Sequence, residues 1–197
     1  MKQLLAICAV IALSMTAAFA QDSTIKSMQV YQYAGVPSNG TSEIDTLTIQ
    51  SGTASGTFTI AVDGGRTTAP ITWSATNTTL LANVDAALEA LNVIGVGGVT
   101  TAAGTLSSGI GTITLTFTGK NAKRDMPALS IGTSAALLAS TPTPNPSAAT
   151  LTTTTPGVEA TFRDAKTGTL LVDTSTPSLY INTSTTAGSP TWTKAPN

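Results

Sequence analysis

The chain has 197 residues, a net charge of −1, only 10% charged residues, no histidine and one cysteine. The missing histidine removes the commonest general base and metal ligand together, and with them the Ser-His-Asp and Cys-His arrangements. The near-neutral, weakly charged composition leaves no basic footprint for nucleic acid and no basic face for anionic lipid.

At the N-terminus, MKQLLAICAVIALSMTAAFA places one Lys before an apolar run from Leu4 to Leu13, followed by Ala18-Phe19-Ala20. This is the pattern of an export signal, with cleavage before Gln21. The run is shorter than the roughly 20 residues needed to span a bilayer. Ile7 stands where lipidation of Cys8 would want a small residue, so a lipoprotein is not expected. Removal of residues 1–20 takes away the only cysteine, leaving no disulfide, thiol nucleophile or cysteine metal site.

Residues 21–40 read as an N-terminal arm or short strand, alternating around Val30, Tyr31 and Tyr33 and ending at Pro37 and Asn39-Gly40. A denser module is expected over 41–138. In "IDTLTIQ", Leu47 and Ile49 share one face; in "TFTIAV", Phe58, Ile60 and Val62 do so, the period of a half-buried strand. Asp63-Gly64-Gly65 then reads as a hairpin turn, with Arg66 solvated. A phosphate loop would lead into a helix and a calcium loop would supply several oxygen ligands. Instead "PITWSA" follows as another strand, with Trp73 in phase.

The period changes at "TNTTLLANVDAALEALN". Leu81, Val84, Leu88 and Leu91 mark one helical stripe, with Thr78 or Thr79 as N-cap and Asn92 with Gly95 as the end. Asp85 and Glu89 fall on the wet side. "VGGVTTA", "GTITLTFTG" and "PALSIGTS" read as further strands. Lys120, Lys123, Arg124 and Asp125 form an exposed charged corner. Residues 139–157, rich in Pro and Thr, read as a linker or closing edge strand. Residues 158–197 read as a small β-hairpin module with segments around Phe162, Leu170–Val172 and Leu179–Ile181, and Trp192 near the end. That piece is too small to bury a core alone, so it is expected to dock on the main module or on copies of itself. Sequons occur at Asn39, Asn77 and Asn182. The fold class is therefore α+β, predominantly β: an antiparallel sheet with one amphipathic helix packed on it, plus a small all-β C-terminal module.

GTFTIAVDGGRTTAPITWSA, VDAALEALNVIGVGGV, GTITLTFTG and DMPAL occur in this order over residues 44–131. In that order they resemble a repeat module common in structural proteins of tailed bacteriophages and in large secreted bacterial surface proteins. One extra glycine stands at Gly64-Gly65. The tail, GTLLVDTSTPSLYINTSTTAGSPTW, is similar to C-terminal segments of phage fibre and capsid-associated proteins, with Leu171 where they carry a Tyr. The resemblance implies a structural role without catalysis.

The expectation is a non-enzymatic extracellular structural or adhesive protein, secreted or at the cell surface, with a virion component as the alternative. No catalytic residue, cofactor or metal is expected. Partners are copies of the chain or other surface or virion structural proteins, with glycans as a further class, no nucleic acid, and the membrane only through the export signal. Tyr180, Trp192, Tyr31 and Tyr33 are the candidate contact or assembly residues. A carbohydrate- or surface-binding module using exposed aromatics, Trp73 included, is the competing reading; a hydrolase using Asp63 and Glu159 is the weakest.

Overall fold

The computed structural model describes residues 29–63, 65–134, 136–139 and 148–196. The expected signal (1–20), the part of the arm before Gln29 (21–28), and the proline-rich stretch 140–147 lie outside the described residues. Among the described residues, no helix is long and apolar enough to cross a membrane.

The fold is α+β and predominantly β. One antiparallel sheet has the order β10-β2-β7-β6, built from β2 (Ile44–Ile49), β6 (Val99–Ala103), β7 (Gly111–Phe117) and β10 (Ala149–Thr155). Alternation in these strands sends Leu47, Ile49, Ile113, Leu115 and Phe117 inward, each at most 1% exposed. Thr46, Thr48, Thr112, Thr114 and Thr116 occupy the opposite face, and the register sets Thr46 across from Thr114 and Thr152.

A second sheet is organised by the long β3 (Thr53–Val62). It pairs antiparallel with β4 (Arg66–Thr67), β5 (Ile71–Thr72), β8 (Leu129–Thr133) and β9 (Leu137–Ala139). Crowded by partners, β3 is buried from Phe58 through Val62. Val62 pairs with Arg66, and Gly65 N–H donates to the Val62 carbonyl (3.2 Å). With Asp63 at φ 53° and Val62 paired with Arg66, the chain reverses here as a hairpin.

The helix α1 (Asn77–Glu89) packs on β6 and β5. Its N-cap is Thr76, not Thr78 or Thr79, and no side chain caps it. Leu80, Val84 and Leu88 form the buried stripe, each 0% exposed. Leu81 lies on its margin, and Leu91 falls beyond the last helical residue, so both are only partly buried. Gly95 N–H then donates to the Leu91 carbonyl (2.7 Å).

The third sheet has the order β1-β11-β12-β13: β1 (Val30–Tyr33), β11 (Leu170–Asp173), β12 (Ser178–Asn182) and β13 (Trp192–Lys194). Its core is Ala165, Leu171, Tyr180 and Trp192, with Tyr31 and Phe162 packed against it. The stretch read as the N-terminal arm thus supplies a strand to the C-terminal module, and β1 runs parallel to β11, Val30 facing Leu170. Phe162, expected in a strand, lies in a turn at φ 47°. Stacking on Tyr31 (4.4 Å between centroids, 10°) holds it there.

Candidate functional site

The four aromatics singled out by sequence meet in the small module, in two different roles. Trp192 and Tyr180 are core, 5% and 7% exposed. Trp192 Nε1–H donates to the Thr161 carbonyl (2.8 Å), and its backbone N–H donates to Asn39 Oδ1 (2.6 Å). Tyr31 and Tyr33 flank Phe162 at the surface, Tyr33 meeting it edge-on at 6.0 Å and 77°. Beside them Val30 and Val36 are 50% and 72% exposed. Among the described residues β1 has β11 on one side and no strand on the other. Trp73, the remaining tryptophan, is partly buried and donates its indole N–H to the Gly109 carbonyl (2.9 Å).

Two buried polar residues organise this module. Asp173 accepts from the Gly35 amide (2.9 Å), the Ser175 amide and hydroxyl (2.8 and 2.7 Å), and the Thr176 amide and hydroxyl (3.2 and 2.6 Å). The Thr176 hydroxyl first, then that of Ser175, hold its carboxyl well below the usual carboxylate range. Asn182 donates to the Ala165 and Lys166 carbonyls (2.8 and 3.2 Å) and accepts from the Ser184 and Thr191 amides (3.0 and 2.9 Å). The other sequon asparagines are also engaged. Asn77 bridges the Leu106 carbonyl and the Gly109 amide, and Asn39 holds Trp192.

The charged corner is where the small module sits. Lys123 Nζ donates to the Pro190 carbonyl (2.9 Å), Arg163 Nε to the Ala122 carbonyl (3.3 Å), and the Ala160 amide to the Lys123 carbonyl (3.0 Å). Thr41 and Val158 exchange backbone hydrogen bonds at 2.9 Å. A Cβ on Gly40 would come within 2.9 Å of Lys123 Cβ, the Val158 carbonyl and Ala160 Cβ. A Cβ on Gly157 would overlap the Arg124 carbonyl oxygen. The corner therefore contacts this chain's own C-terminal module through packed backbone.

Beneath this joint lie two carboxylates that sequence reasoning passed over. Glu43 and Asp45 are 2% and 0% exposed. Asp45 on β2 and Glu43 just before it fall in phase with Leu47 and Ile49, so the alternation that buries those side chains buries the acids too. Glu43 Oε2 accepts from the Met126 amide (2.9 Å). Neither oxygen of Asp45 has a hydrogen-bond partner. Its register neighbours are Leu115 and Thr153. Burial pushes both carboxyls up. For Glu43 the Met126 amide works against that rise, while Asp45 and Asp125 add to it. For Asp45 the Thr153 hydroxyl, opposite it in the ladder but outside hydrogen-bonding geometry, works weakly against the rise.

The hydrolase candidates are not brought together. Asp63 lines a groove of about 240 Å³ with Val62, Arg66, Val93 and Pro127, whereas Glu159 lies on the segment entering the small module and is no part of that lining. Of the helix acids, Glu89 accepts the Gly97 amide (2.6 Å). Asp85 is pushed up, chiefly by burial and then by Glu89. Among the described residues, no group of three or more acidic, histidine or cysteine side chains is arranged to hold a metal ion.

No protein-family model matches this chain, nor does any curated protein. Among solved structures, a chain from Mycobacterium phage Patience is similar, with a TM-score of 0.37 and 11% sequence identity. The similarity covers 80% of this chain and 56% of that one, so this chain spans little more than half of its length.

Proposed function

We propose that this chain is a non-enzymatic extracellular structural or adhesive protein, displayed on a cell surface or a virion, whose two β modules form a scaffold for assembly. The observation that carries this reading is the edge of β1 that no strand among the described residues covers, beside the Tyr31–Phe162–Tyr33 group. Sheet edges are normally blunted by charge, proline or a bulge; β1, Val-Tyr-Gln-Tyr, carries none of these, whereas the opposite edge strand β13 ends in Lys194. The motif resemblance to phage structural proteins and secreted surface proteins supports the same reading.

The test is sedimentation of the chain beginning at Gln21, compared with Gln32→Lys, which places a charge on the open strand. Concentration-dependent association that Gln32→Lys abolishes is the expected result. A chain that stays monomeric at all concentrations sinks the assembly role. The second reading, a glycan- or surface-binding module, is favoured by the exposed ring of Tyr33. It predicts glycan-array binding that Tyr33→Ala removes while leaving sedimentation unchanged.

A further inference from the structure

We propose that the buried carboxyl pair Glu43–Asp45 is a proton-operated latch on the joint between the two modules, closed while the carboxyls are protonated and released when they lose their protons to solvent.

The placement of the pair carries this inference. Asp45 projects from the inner face of β2, a strand flanked by β7 and β10, and Glu43, one residue before the strand, continues the same phase. The β7 side offers no relief, because Leu115 stands opposite Asp45 and belongs to the main core. On the other side Thr153 stands opposite, at the last regular pair before the β10 ladder breaks between Thr153 and Thr155. Two residues after Thr155, Gly157 crosses the Arg124 carbonyl, and Val158 and Ala160 make the joint. Glu43 meets the same structures: its Oε2 accepts from the Met126 amide, one residue past the corner that Gly157 packs against.

Among the described residues no compensating charge reaches the pair. The elements packed against it carry Lys123, Arg124 and Asp125 on the corner and Glu159 on the entering segment; β7 and β10 carry none. Lys123 is spent on the Pro190 carbonyl, Arg124 Nε is buried without a partner, and Asp125 adds a like charge. An isolated buried carboxylate is costly, and two on one strand face repel as well. As neutral acids they fit the site. As anions they must reach water, and the cheapest route is to lift the end of β10, an edge strand whose residues 152–154 are exposed. That movement pulls directly on Gly157 and Val158.

Hydrogen exchange on the full chain tests this, reading protection factors for the amides of Thr150–Thr155, Val158 and Ala160 against those of β7 between about pH 4 and pH 8. In the wild type, protection at the joint falls by about tenfold or more as pH rises, tenfold being what one unit of separation between closed and open pKa supplies, while β7 stays protected. Asp45→Leu, which fills the site with an apolar side chain of similar size, flattens that slope and keeps the joint closed at pH 8. Asp45→Asn flattens it too if it folds. A wild-type joint whose protection does not change with pH, or a slope that survives Asp45→Leu, overturns the latch. Gly157→Ala provides the control: it loosens the joint at every pH and leaves the slope in place.

Discussion

The two modules solve the burial problem in opposite ways. The larger one encloses a continuous apolar core running from Leu47 to Ala149, and it tolerates Asp45 with no hydrogen-bond partner inside it. The smaller one builds its core from Ala165, Leu171, Tyr180 and Trp192, and its buried Asp173 and Asn182 have their hydrogen bonds made. A short segment cannot remove enough apolar surface from water to hold itself. This one supplements its core with polar nodes, with β1 from the far end of the chain, and with a seat on the 122–126 corner. Where apolar burial is large, a buried carboxylate with no partner is tolerated; where it is small, the buried carboxylate and amide are fully engaged, and only Arg163 Nη2 is buried there without a partner among the described residues.

The comparison breaks most readily at Trp192. Truncation to Ala removes the largest side chain of the small core, and such changes cost about 3–5 kcal/mol. Because Trp73 lies in the large module, its fluorescence reports that module alone in Trp192→Ala. The expected outcome is loss of small-module hydrogen-exchange protection while the Trp73 transition moves little. A joint collapse of both would show that the two modules are one cooperative unit. Asn182→Ala comes next: it strands two carbonyls and two amides, and each unsatisfied buried group costs about 1–3 kcal/mol. The equivalent polar change in the large module, Asp45→Leu, is expected to be neutral or stabilising at neutral pH by calorimetry.

The two modules also answer pH with opposite sign. Asp173 has its carboxyl held down by the Thr176 and Ser175 hydroxyls. It therefore contributes stability above the ordinary Asp value of 3.8, lost as pH falls through the depressed folded value. Glu43 and Asp45 are pushed up by burial. Their contribution is complete below the ordinary values of 4.5 and 3.8 and is lost as pH rises through the raised ones. Acid should loosen the small module first, seen as faster exchange at Gly35, Ser175 and Thr176, whose amides Asp173 accepts. Asp173→Asn should remove that acid response. Equal loosening of both modules in acid would contradict the contrast.

Much of the large module was legible from alternation and turn chemistry. "IDTLTI", "TFTIAV" and "GTITLTF" became β2, the buried half of β3 and β7, and Asp63 and Gly65 lie in the turn between β3 and β4. The same alternation, followed back from Ile49 and Leu47, also marks Asp45 and Glu43 as inward, a signal that was present and passed over. What local pattern could not supply was partnership. Nothing in Val30–Tyr33 says that it pairs with Leu170–Asp173, because period 2 gives a strand its faces and not its neighbours. Phe162 was misplaced for a related reason. An aromatic favours strands on average, but here stacking on Tyr31 outweighs the positive φ. The asparagine nodes depend on where loops from distant segments meet, which sequence spacing does not encode.

Tyr33→Ala gives the smallest expected effect and the finest test of where the N-terminal strand belongs. Its edge-on contact with Phe162 is of a kind worth about 0.5–1.5 kcal/mol beyond area burial, and the ring is already 37% exposed. If β1 is energetically part of the small module, the loss should register as faster exchange at Leu170 and Thr174, whose amides donate to the Gln29 and Tyr33 carbonyls. The Trp73-reported transition should stay within a few tenths of a kcal/mol. A shift in the large module instead would mean that the segment between Tyr33 and Thr41 transmits strain through Gly40 and the Thr41–Val158 bridge. The joint, and not the strand pairing, would then be what ties the two ends of the chain together.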